Sequence, residues 1–84
     1  MKLAAYPNPT VDWTTVSYEL PQRSNVRIEV FDALGRSVEV LFDGARAAGA
    51  HASIWKTGNV VPGMYYVRIK TDSRAWTRSL TVLR

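Results

Sequence analysis

The sequence predicts an all-β protein, an antiparallel β-sandwich of six or seven short strands. Two observations predict it. Apolar and polar residues alternate at period two in one stretch after another, and turn-forming residues separate those stretches at roughly 8–12-residue spacing. No stretch makes a convincing helix, and the chain of 84 residues has room for one domain. A domain this small buries only about 60–65% of the surface its unfolded chain exposes, so its core must be dense. With 46% apolar residues and no cysteine, the core has to stand on packing alone.

The elements follow in order. "TTVSYEL" sets Val16, Tyr18 and Leu20 against Thr15, Ser17 and Glu19, and "NVRIEVF" sets Val26, Ile28 and Val30 against Arg27 and Glu29. Such alternation marks half-buried strands. "SVEVLF" and "AHASIWK" come next, then "MYYVRIKT", with Tyr65, Val67 and Ile69 against Tyr66, Arg68 and Lys70. The last stretch, "RAWTRSLTVLR", places Trp76, Leu80 and Val82 on one side and Thr77, Ser79 and Thr81 on the other. Chain ends fray unless an element ties them down, so apolar residues this close to the end mark a final strand. Arg78 breaks the apolar register: the reading favoured over a bulge that shifts the phase is that its stem lies along the core rim with the guanidinium in water. Pro7-Asn8-Pro9, Pro21-Gln22, Asp32 to Arg36, Asp43-Gly44, Gly49, Gly58-Asn59, Pro62-Gly63 and Asp72-Ser73 are read as the turns. "DGARAAG" is short and glycine-bounded, and reads as a loop.

Charge is unevenly spread. Residues 1–55 carry five basic against six acidic side chains, whereas the remainder sets Lys56, Arg68, Lys70, Arg74, Arg78 and Arg84 against Asp72 alone. Such an asymmetry suits an anionic partner or a solvated, edge-protecting strand face. No apolar run approaches the roughly 20 residues of a transmembrane segment, and "MKLAAYPNP" lacks the apolar stretch of a secretory signal.

Catalytic patterns do not emerge. His51 is the single histidine, no cysteine is present, and no phosphate loop or nucleophile elbow occurs. The expectation is a protein that is not an enzyme and needs no cofactor or metal. Trp13, Trp55, Trp76 and Tyr66 could stack sugars or bases, but Trp55 and Tyr65 read as core from alternation, and no nucleic-acid motif accompanies them.

In this order and spacing, Pro7-Asn8-Pro9, Asp32-Ala33-Leu34-Gly35-Arg36 with Val38, Gly49 with His51 and Trp55, and Pro62-Gly63 with Tyr65, followed by a short final strand ending in a basic residue, are similar to the C-terminal sorting domain of type IX secretion substrates. The similarity spans nearly the whole chain. It departs after Trp55, where Lys56-Thr57-Gly58-Asn59 replaces an acidic residue, and at Trp13, where the family is small or polar. The immunoglobulin-like domain of flagellar hook-capping proteins shares part of the pattern.

The resemblance implies an immunoglobulin-like sandwich of about seven strands over residues 1–84, excised from a longer secreted protein. It implies a non-catalytic signal that takes an upstream cargo from the periplasm through the type IX translocon to the cell surface. A sortase-like peptidase then removes the domain and attaches the cargo to an anionic lipopolysaccharide. The implied partners are the translocon, the peptidase and the cargo, with no nucleic acid; edge strands leave self-association open. The residues expected to be read are Gly63, Tyr65 and Arg68 on the penultimate strand and Arg78, Leu80, Val82 and Arg84 on the last, through edge-strand pairing or the basic face. The other reading is a carbohydrate-binding or adhesive accessory sandwich using Trp13 and Trp76.

Overall fold

A computed structural model describes residues 3–83, so Arg84 lies outside the described residues. Seven strands form two antiparallel sheets: β1 Leu3–Tyr6, β2 Trp13–Leu20, β3 Ser24–Asp32, β4 Ser37–Arg46, β5 Gly49–Lys56, β6 Gly63–Lys70 and β7 Ala75–Val82. One sheet runs β1-β2-β5 and the other β4-β3-β6-β7, the arrangement of an immunoglobulin-like sandwich. The alternating residues face each other across it. Val16, Tyr18 and Leu20 oppose Val26, Ile28, Val30, Val67 and Ile69, all buried, and Trp55 fills the middle with Tyr65 edge-on at 5.3 Å. The Tyr65 hydroxyl donates to the carbonyl of Val61, a tyrosine corner that pins the β5–β6 connection to β6.

Two elements differ from the sequence reading. β1 is a strand that alternation alone did not reveal: it is four residues long, and Ala4 and Ala5 give no contrast. The "DGARAAG" stretch is not a loop up to Arg46, and Asp43-Gly44 is not a turn, since Asp43 pairs with Arg27. Val26, Asn25 and Ser24 of β3 pair with Gly44, Ala45 and Arg46 and draw β4 out to its full length. The partner strand overrides the weak local propensity of glycine and alanine. The connection to β5 is then only Ala47 and Ala48.

The segment between β1 and β2 does more than turn. With cis peptides before Pro7 and Pro9, it runs along the outer edge of β7 and forms a parallel bridge from Thr10 to Val82. The Thr10 amide donates to Thr81 O at 2.9 Å, and the Leu83 amide donates to Thr10 O at 2.8 Å. The Asn8 side chain completes the strap, accepting from the Thr81 amide at 3.1 Å and donating to Ser79 O at 3.2 Å.

Candidate recognition surface

The strand order brings the β1–β2, β3–β4 and β5–β6 connections and the end of β7 to one end of the sandwich. The β3–β4 turn is self-contained. Asp32 Oδ1 accepts from the Leu34 and Arg36 amides, both at 2.9 Å, Oδ2 accepts from Arg36 Nε at 2.9 Å, and Gly35 takes φ +83°. Positive φ is where glycine has an advantage over other residues. The amide of Arg36 first, and its guanidinium and the Leu34 amide besides, hold the Asp32 carboxyl below its ordinary range. With its polar groups satisfied internally, the turn holds Leu34 out to solvent, 78% exposed. Val61, 75% exposed, and the half-exposed Met64 join Leu34, Val38 and Pro62 around a shallow hollow of about 330 Å³.

The sequence-predicted residues do not form one site. Tyr65, Leu80 and Val82 are core residues, and Gly63 pairs with Val82 as Tyr65 does with Leu80. Arg68 lies on the opposite, outer face of the sheet, over the Phe31 ring at 4.7 Å and 3.7 Å from Glu29 Oε1. Glu29 also accepts from Ser37 Oγ at 2.5 Å and Arg27 Nε at 3.1 Å, and these bonds, led by the serine hydroxyl, lower its pKa. Arg27 in turn reaches Asp43 at 2.7 Å.

Arg78 keeps the inward phase, since no bulge interrupts the β6–β7 register. The residue stays exposed, as expected, but its head group also has a partner in the fold: Nε and Nη2 donate to the carbonyl of Leu3 at 3.0 and 2.7 Å. Two of the cations in this half of the molecule, Arg68 and Arg78, are therefore engaged within the fold. Trp13 and Trp76 sit at opposite ends of different sheets, Trp13 half-exposed and Trp76 packed partly on the core, so they do not make one platform.

Leu34, Val61, Met64 and the Asn8–Thr10 strap were not singled out as recognition residues from the sequence. The signal for the first was available: an aliphatic residue inside a polar turn, "DALGR", has no core to face.

The layered topology, the tyrosine corner and the satisfied β3–β4 turn define a small immunoglobulin-like module. The chain belongs to the secretion system C-terminal sorting domain family, whose model matches residues 4–83. It is a type IX sorting domain, a non-catalytic secretion signal for passage across the outer membrane to the cell surface. Among solved structures it is similar to PorZ, described as an essential bacterial surface component of the type-IX secretion system of Porphyromonas gingivalis. The TM-score is 0.66 at 20% identity over 98% of this chain, and the chain corresponds to 11% of the length of that protein. No curated protein matches the chain in sequence.

Proposed function

We propose that the type IX machinery reads this domain as a folded unit through the apolar end of the sandwich, with Leu34, Val61 and Met64 making the contact. One observation carries this reading: two aliphatic side chains, on Leu34 and Val61, are at least three-quarters exposed side by side on a rigid turn and a pinned loop. Exposed apolar groups that could have been polar mark an interaction surface. Gly63 opens β6 beside them at φ +149°, while Tyr65, Leu80 and Val82 support the surface from beneath.

Edge-strand pairing along the end of β7 is less favoured, because Asn8 and Thr10 already occupy its outer groups between Ser79 and Leu83. Reading by charge alone is less favoured too, because Arg68 and Arg78 are engaged by Glu29 and by Leu3 O. In this account an upstream cargo enters the periplasm and the folded domain docks its apolar end on the translocon. The cargo crosses, and a sortase-like peptidase separates it from the domain at the cell surface.

A reporter with a signal peptide, fused upstream of the domain in a type IX-competent bacterium, tests this reading. The variant Leu34→Ser with Val61→Ser should leave the reporter in the periplasm while the purified domain melts as before. Surface delivery equal to the unmodified fusion would remove the apolar end from the mechanism.

A further inference from the structure

Around Trp13 lies a second feature, separate from the Leu34–Val61 hollow. Trp13, 49% exposed, stands on the outer face of the β1-β2-β5 sheet, opposite Lys56 in register and beside Ile54, which is 62% exposed. Asp12 from the β1–β2 connection and Asn59 from the β5–β6 turn complete an open cavity of about 520 Å³. Among the described residues, the side chains of Asp12, Lys56 and Asn59 make no hydrogen bond or ion pair within the protein. The walls are nonetheless fixed. The Thr57 amide donates to Asp12 O at 2.7 Å, the Val60 amide donates to Thr57 O at 3.1 Å, and the Thr10 and Thr57 hydroxyls meet at 3.3 Å in the interior.

We propose that this cavity is a saccharide-binding site that takes one hexopyranose residue of a glycan against the face of Trp13. A pyranose ring offers a flat face of C–H groups and a rim of hydroxyls. The indole and Ile54 supply the apolar floor, and the Asp12 carboxylate accepts hydroxyl hydrogen bonds. The Asn59 amide both donates and accepts, and the Lys56 ammonium donates. A small number of convergent polar groups over an apolar floor is the usual make-up of a small-ligand site, and loops already tied together lower the cost of ordering on binding. Nucleic acid fits less well, because the single cation is offset by a carboxylate that repels phosphate. This site is independent of the apolar-end reading, and either can fail without the other.

The test uses the 84-residue chain on an array of immobilised oligosaccharides ending in neutral hexose, N-acetylhexosamine or hexuronic acid. The methyl glycoside of whichever terminal sugar retains the protein is then titrated by tryptophan fluorescence. Trp13→Ala should weaken that affinity by about tenfold or more with unchanged melting, corresponding to about 1.4 kcal/mol. Asn59→Ala, on an exposed turn, should weaken it as well and serves in place of Trp13→Ala if that variant does not fold. Trp76→Phe should leave it unchanged. Retention of no sugar class, or equal affinity in Trp13→Ala and Asn59→Ala, would overturn the proposal.

Discussion

Arg78 on the last strand holds Leu3 on the first: two guanidinium nitrogens donate to one backbone carbonyl, at 3.0 and 2.7 Å, across 75 positions of sequence. The contact bridges the open side of the sandwich between β1 of one sheet and β7 of the other. A hydrogen bond to a charged group contributes about 1.5–3 kcal/mol, less where water competes. Arg78→Met keeps the stem and removes the donors, and should lower stability by about 1–2 kcal/mol in thermal or urea unfolding. Arg78→Glu should cost more, since it turns a carboxylate toward the carbonyl. Both follow from a head group that serves the fold rather than a partner.

Asn8 gives a local version of the same test. Its Oδ1 accepts from the Thr81 amide, so Asn8→Ala should expose that amide to exchange while amides of β3 and β6 keep their protection. The expected loss of global stability is about 1 kcal/mol. Unchanged protection at Thr81 would mean that the strap does not cover the edge in solution.

Trp55 is fully buried between the sheets, and replacing such a residue with alanine costs about 3–5 kcal/mol. A small domain has a total stability of about 5 kcal/mol, so Trp55→Ala should be largely unfolded by circular dichroism. Gly35→Val is milder. A Cβ there meets nothing within 4 Å, so the loss is backbone strain alone, about 1–2 kcal/mol.

Acid should destabilise the fold through three carboxylates. The Arg36 amide lowers the pKa of Asp32, the Asn25 amide that of Asp72, and the Ser37 hydroxyl that of Glu29. The folded state therefore binds fewer protons than the unfolded chain. The stabilisation is present above the ordinary carboxylate range and is lost as pH falls below about 4 through the folded-state values. Melting temperature should be flat from neutral pH to about 5 and then fall. Asp32→Asn with Asp72→Asn should start lower and fall less steeply.

Alternation made the layered fold legible, because one face of each strand had to be apolar. It failed where that contrast was missing: in Ala4-Ala5 of β1, and in Gly44-Ala45 of β4, which is a strand only because β3 pairs with it. The strap was hidden for another reason. Asn8 meets Ser79 and Thr81 across more than 70 positions, and nothing local in "PNP" announces its partner. For the recognition surface, the period-two pattern had already placed Tyr65, Leu80 and Val82 inside, where they are found. A residue that fills the core supports a surface but does not present one. Leu34 was the readable exception, an aliphatic side chain in a turn whose neighbours satisfy one another.

Whether the export machinery touches the apolar end is settled by site-specific photo-crosslinking during export. A photoreactive residue is placed at Val61, or at Lys70 near the β6–β7 hairpin at the far end, in a reporter fusion that is still exported. Adducts with outer-membrane translocon components are expected from position 61 and none from position 70. Adducts from position 70 alone would contradict that contact.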